Sequence, residues 1–86
     1  MVYNVTYKKS VQRDLKQLSK SESKLILDQI EHELAEDPES NPVLKGQFMG
    51  LRKYRVGDDR LIYILLETEI RILRIGHRRD VYKRKI

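Results

Sequence analysis

Apolar residues recur along this chain with two different periods. From Val2 to Tyr7 the period is two, with Tyr3, Val5 and Tyr7 on one side and Asn4 and Thr6 on the other, which predicts a strand. Val11, Leu15 and Leu18 then fall at i, i+4 and i+7, a narrow apolar stripe on an otherwise polar helix. Ser19 and Glu22 interrupt that helix with the spacing of a capping box, so a second helix should start there. Ile26, Leu27, Ile30 and Leu34 form its apolar face. Asp37-Pro38 should end it, because proline disfavours helical geometry in the residue before it. Two helices joined so tightly make an antiparallel hairpin, whose stripe has only a sheet to bury against. Residues 38–50 hold two prolines and two glycines and show no period. They read as a crossing loop, with Leu44, Phe48 and Met49 as its anchors to the core.

Period two returns in three runs, 51–56, 60–66 and 70–75, separated by Gly57-Asp58-Asp59 and Glu67-Thr68-Glu69. Both separators are short enough for hairpins. A two-residue loop at Asp58-Asp59, with Gly57 opposite Arg60, puts Lys53, Arg55 and Arg60 on one face. Tyr54, Val56, Leu61, Tyr63 and Leu65 take the other and meet the helices. A three-residue loop would turn Arg60 inward, which is costly for an unpaired charge. At the second hairpin a three-residue loop sends Leu73 and Ile75 into the core beside Tyr63, with Arg74 on the cationic face. It also turns Ile70 and Ile72 outward beside Ile62 and Ile64, an aliphatic row that needs a cover. The expected fold is α+β: an N-terminal strand, an antiparallel helical hairpin, then a three-stranded antiparallel meander packed on the helices. One domain should span 1–86.

Charge sharpens this picture. Residues 51–86 hold eleven Lys and Arg against five Asp and Glu, while residues 1–50 hold seven against eight. The net charge of +5 therefore belongs to the sheet and tail, which favours a polyanionic partner such as RNA or DNA. There is no cysteine, and the longest apolar run, Leu61 to Leu66, is far below a membrane span. Met1-Val2-Tyr3-Asn4 lacks the regions of a signal peptide, so a cytoplasmic setting is expected, without membrane contact. His32 reads as a surface residue of the second helix.

Lys53, Arg55, Arg60 and Arg78 would cluster on the exposed sheet face with Tyr82 nearby. Such a cluster offsets the charge that builds on a phosphate during phosphoryl transfer. Arginine adds bidentate geometry, and tyrosine a stacking face and a hydroxyl. His77, with an ordinary pKa near 6.5, suits proton transfer and joins Arg79 as an auxiliary candidate. Arg74, Lys83 and Arg84 extend the basic surface available to RNA. No metal-ligand motif, phosphate-binding Gly-rich loop or nucleophilic serine motif is present, so neither metal nor cofactor is expected.

The order strand, helical hairpin, meander and basic tail resembles the RelE/ParE superfamily of toxin–antitoxin systems. Leu44-Lys45-Gly46, residues 51–56, Arg60-Leu61-Ile62-Tyr63 and Ile75-Gly76-His77-Arg78-Arg79-Asp80-Val81-Tyr82 resemble its RelE branch, and the likeness covers nearly the whole chain. It implies a RelE-like, small-ribonuclease fold and a metal-independent, ribosome-dependent endoribonuclease. Such an enzyme cuts mRNA in the A site, inhibits translation and is silenced by a cognate RelB-like antitoxin. Carried over, the family's paired basic strand residues fall on Lys53 and Arg55, its hairpin arginine on Arg60, and its tail arginine and tyrosine on Arg78 and Tyr82. Two departures stand out: His77 occupies a position where lysine is usual, and the gap between Arg78 and Tyr82 is short. The ParE branch of the same fold inhibits DNA gyrase without enzymatic action. That alternative stays open, as does a catalytically inactive nucleic-acid- or protein-binding module.

Overall fold

The computed structural model describes residues 3–46 and 50–77. The chain runs β1 (Asn4–Tyr7), α1 (Lys9–Lys16), α2 (Lys20–Gln29), β2 (Arg52–Val56), β3 (Asp59–Leu65) and β4 (Glu69–His77). α2 continues into a wider π-helical turn over Ile30–Leu34, and Pro38–Ser40 forms one 3-10 turn. The strands make a single sheet in the order β1-β4-β3-β2. β2, β3 and β4 form the expected antiparallel meander, and β1 joins it parallel to β4. Alternation assigns faces to a strand but not neighbours, so the place of β1 emerges only from the structure. Among the described residues no helix is long and apolar enough to cross a membrane.

Both helices lie on one face of the sheet, α1 against β4 and α2 against β2. Ser19 caps α2 as its spacing implies: its Oγ accepts the Glu22 N–H at 3.1 Å and donates to Glu22 Oε1 at 3.0 Å. Val11, Ile26, Ile30 and Leu34 then bury against Val56, Leu61, Tyr63, Ile70, Ile72 and Ile75. Burying each such aliphatic side chain contributes roughly 1.5–3 kcal/mol, so this contact holds the two layers together.

Two expectations about the sheet need correction. The first hairpin turns at Gly57-Asp58, not at Asp58-Asp59, with Val56 opposite Asp59 and Arg55 opposite Arg60. Gly57 takes φ 61°, the left-handed value that glycine adopts without a Cβ penalty, and no other residue type in the described chain does so. The shift moves the pairing by two, so every side chain keeps its expected face. The second correction is larger. β4 shifts register at Ile62/Tyr63, where Arg74 pairs with Ile62 but Ile72 pairs with Tyr63. Leu73 is therefore an extra residue, a β-bulge. Ile70 and Ile72 face the core before it, Ile75 faces the core after it, and all three are at most 2% exposed. Ile62 is fully buried on the opposite face, so the outward row of four isoleucines does not exist.

α1 also closes the sheet where β1 stops. β1 pairs with β4 only as far as Ile72, and the Ile75 N–H beyond it donates to Asp14 Oδ2 at 3.0 Å. Asp14→Ala leaves that part-buried amide without a partner and is expected to cost about 1–2 kcal/mol, measured by urea unfolding. Asp14→Asn, which keeps an acceptor oxygen, should recover most of the loss.

Candidate functional site

The face turned away from the helices carries two cross-strand rows. In one, Lys53 pairs with Ile62 and Ile62 with Arg74; in the other, Arg55 pairs with Arg60 and Arg60 with Gly76. Like charges set directly opposite in an antiparallel pair repel and destabilise the sheet. Among the described residues the ion pair on this face is Arg71 with Glu69, 3.1 Å apart, which neutralises neither row. Arg55 turns its Nε–H to the Gly57 carbonyl at 3.1 Å, a polar contact that leaves its charge uncompensated. Gly76 adds no side chain beside Arg60, so the end of that row stays open.

Lys53, Arg55 and Arg60 line one cleft of about 220 Å³ with Asn41, Pro42 and Tyr54. The loop wall of this cleft is held from below. Tyr63, fully buried, donates its hydroxyl proton to the Pro38 carbonyl and accepts from Asn41 Nδ2 at 3.2 Å. Arg52 Nη1 donates to the Glu39 carbonyl at 3.0 Å and to the Asn41 carbonyl at 2.7 Å. Backbone bonds from Lys53 N to Pro42 O and from Leu44 N to Leu51 O fasten the loop along the edge of β2. These contacts fix the Asn41–Pro42 wall opposite the cations. Tyr54 serves as an anchor and not as an acid or base. Its hydroxyl lies 2.9 Å from Glu33 Oε2 and 3.0 Å from Gln29 Oε1 in the helical layer, with one proton to donate between them, and burial followed by the Glu33 carboxylate pushes it up to about 12.

The candidates thus separate. Lys53, Arg55 and Arg60 come together in the cleft, and Arg74 shares their face in the Lys53 row. His77 pairs with Asp59, on the core side at the end of β4, and so stands away from the cation cleft. Arg78, Arg79, Tyr82, Lys83 and Arg84 lie outside the described residues, as do Phe48 and Met49. Three residues escaped the sequence reading. Arg52 acts through backbone carbonyls and Asn41 through the buried Tyr63 hydroxyl, contacts that leave no pattern in a sequence. Asp59 reads as a turn residue yet is only 6% exposed.

The fold is that of known proteins. The sequence profile of a family described as ParE toxin of type II toxin-antitoxin system, parDE, matches residues 5–82. Among solved structures, the chain is similar to one in the RelBE2 toxin–antitoxin complex of Mycobacterium tuberculosis, with 26% identity and a TM-score of 0.86, covering 91% of this chain and 100% of that one. It is also similar to one in the archaeal RelE–RelB complex of Pyrococcus horikoshii OT3, with 30% identity, a TM-score of 0.65 and coverage of 91% and 97%. A chain of the intact E. coli RelBE complex shares the fold at 17% identity, with a TM-score of 0.71 and coverage of 87% and 95%. No curated protein sequence matches significantly. With nearly its whole length matched, the chain belongs to the ParE toxin family of type II toxin–antitoxin systems, within the RelE/ParE toxin superfamily.

Proposed function

We propose that this toxin is a metal-independent endoribonuclease that cleaves mRNA in the ribosomal A site. The observation that carries the reading is the direct pairing of Arg55 with Arg60 beside Lys53 in one cleft, with no acidic partner among the described residues. A sheet bears that repulsion most readily when an anion fills the space between the charges. In the proposed reaction the RNA 2′-oxygen attacks the adjacent phosphorus and the bond to the 5′-oxygen breaks. The 2′-hydroxyl loses its proton, the departing 5′-oxygen gains one, and the products are a 2′,3′-cyclic phosphate and a free 5′-hydroxyl. Lys53 or Arg55 assists deprotonation or stabilises charge, while Arg60 and Arg78 hold the phosphate oxygens as they become more negative. Tyr82 stacks on a base or aligns the nucleophile, with Arg79 as an auxiliary and Arg74, Lys83 and Arg84 along the RNA path. The partner in the resting cell is a RelB-like antitoxin that covers the cleft; the RelE–RelB and RelBE complexes named above support an antitoxin as the partner. The setting is cytoplasmic.

No strong general base lines the described cleft, so positioning by the ribosome has to supply much of the acceleration. Toeprinting on translating ribosomes is expected to show cuts within the A-site codon, with naked RNA cut far more slowly. Equally fast cleavage of free RNA would overturn the ribosome-dependent form. The family match itself favours a second reading, a ParE-like gyrase inhibitor without nuclease activity. Inhibition of purified gyrase on supercoiled plasmid, with intact mRNA on ribosomes, would select it.

A further inference from the structure

Asn41 stands in the wall of the cation cleft with its amide held in one orientation. Its backbone carbonyl accepts from Arg52 Nη1 at 2.7 Å, and the next carbonyl, of Pro42, accepts from Lys53 N at 3.4 Å. An asparagine amide can ordinarily turn end for end, because its oxygen and nitrogen have nearly the same shape. Tyr63 removes that freedom. It is fully buried, and its hydroxyl has a single proton, which goes to the Pro38 carbonyl. Towards Asn41 the hydroxyl can therefore only accept, so Nδ2 faces it, 3.2 Å away. Turned the other way, the amide would set Oδ1 against an oxygen with no proton to share. Oδ1 is thus fixed on the side away from Tyr63. It has no hydrogen-bond partner among the described residues, yet it is not buried, so it meets solvent in the cleft that Asn41 lines. Of the residues lining that cleft, only Asn41 and Tyr54 carry a side-chain acceptor, and Tyr54 turns its hydroxyl to the helical layer. Lys53, Arg55 and Arg60 bring donors alone. Asn41 Oδ1 is the fixed acceptor of a cleft otherwise built from donors.

We propose that Asn41 determines base specificity in this cleft: its Oδ1 accepts a hydrogen bond from the exocyclic amino group of the base beside the phosphate that the cations hold. A phosphate is the same in every nucleotide, so Lys53, Arg55 and Arg60 position RNA without reading it. A fixed acceptor does read it. Adenine, cytosine and guanine each carry an amino group that donates. Uracil carries none, and its one N–H lies between two carbonyl oxygens that Oδ1 repels. A cleft of about 220 Å³ takes one nucleobase, and the Pro42 ring beside Asn41 offers that base an apolar face. Solvent reaches Oδ1, so a uracil there leaves the oxygen to water and not unpaired. The preference should therefore match one neutral hydrogen bond, roughly 2–10-fold. Its direction depends on Tyr63: an amide free to turn would donate to a uracil carbonyl as readily as it accepts from an amino group. The contact itself is independent of cleavage; only its expression as a choice of cutting site rests on the nuclease reading.

Toeprinting on ribosomes carrying mRNAs that differ by single bases in the A-site codon tests this as a ratio of cutting. At one position of the codon the wild type should prefer adenine, cytosine or guanine to uracil by roughly 2–10-fold. Asn41→Ala should abolish the preference. Asn41→Asp keeps an acceptor and should retain it, although the added carboxylate beside the cations slows cleavage of every codon. Tyr63→Phe releases the amide and should also weaken the preference. Each ratio is internal to one protein sample, so loss of folded material cannot imitate these changes. A wild type indifferent to the base, or a preference that survives Asn41→Ala, would overturn the proposal. A second measurement uses the wild type alone: the Asn41 side-chain amide resonance is followed by NMR while adenosine, cytidine or uridine 3′-monophosphate is added. The adenosine and cytidine nucleotides should shift it well beyond the uridine nucleotide. Equal shifts from all three, or none, would overturn the proposal even if no variant folds. Because this titration needs no cleavage, a base-dependent shift without any cut mRNA would reject the nuclease reading and keep the contact.

Discussion

Replacing Arg60 with alanine is expected to slow cleavage of ribosome-bound mRNA by about 10²–10³-fold, the scale for removing one preorganised electrostatic donor. The same change should leave the fold at least as stable as before. Arg60 stands directly opposite Arg55 with no acid paired to either among the described residues, so its charge is a cost to the sheet. Relief of that repulsion should add a few tenths of a kcal/mol in urea unfolding. Arg55→Glu carries the reasoning further, because it turns a repulsive pair into an attractive one. That variant should be more stable than wild type by about 0.2–1 kcal/mol and inactive in toeprinting. Activity and stability moving in opposite directions is the signature of a site built for an anion. If both variants lose stability along with activity, the cations are structural and the cleft is misassigned.

Tyr63 is the position where substitution should hurt the fold most. Its ring is fully buried within the core cluster, and truncation to alanine should cost about 3–5 kcal/mol. Small domains have total stabilities of about 5–15 kcal/mol, so Tyr63→Ala should be largely unfolded at physiological temperature. Tyr63→Phe separates packing from anchoring. It keeps the ring but takes the hydroxyl from the Pro38 carbonyl and from Asn41 Nδ2, for an expected loss of about 1–2 kcal/mol. Because those bonds hold the Asn41–Pro42 wall, the folded Phe variant should bind RNA more weakly, raising KM more than it lowers kcat. Arg52, which still grips the Asn41 carbonyl, limits the damage. An unchanged KM in the Phe variant would mean that the wall does not meet the substrate.

Much of this arrangement is legible from residue order alone. The helical stripe, the Ser19 cap and the faces of β2 and β3 follow from periods and from the cost of burying Arg60. The face of Lys53, Arg55 and Arg60 survives even a misplaced turn, since a shift of two residues preserves parity. β4 is different. Its apolar residues Ile70, Ile72, Leu73 and Ile75 fit no uniform alternation, so some have to face outward unless one residue is extra. Leu73 carries no mark of that role; it is neither glycine nor proline. Ile70 and Ile72 face outward only with a three-residue loop at Glu67-Thr68-Glu69, whereas the second hairpin turns on two residues, Glu67-Thr68, and the extra residue lies at Leu73 instead. Asp59 was hidden for another reason. A carboxylate in Gly57-Asp58-Asp59 looks solvated, yet its pairing with Val56 turns it to the core face, where it is only 6% exposed.

The extra residue at Leu73 divides β4 into two segments of opposite phase. The first, 69–72, turns Ile70 and Ile72 to the helices, and the second, 74–77, sets Arg74 and Gly76 on the cationic face beside Ile62 and Arg60. Deleting that one residue would restore a regular ladder and invert one segment against the other. Arg74 and Gly76 would then point at the helices, or Ile70 and Ile72 at the solvent, and neither outcome is compatible with this core. Point substitutions in the distal segment can retune the cationic face without disturbing the interior. Changes of length in β4 cannot, so related toxins should differ here in residue identity far more than in residue count.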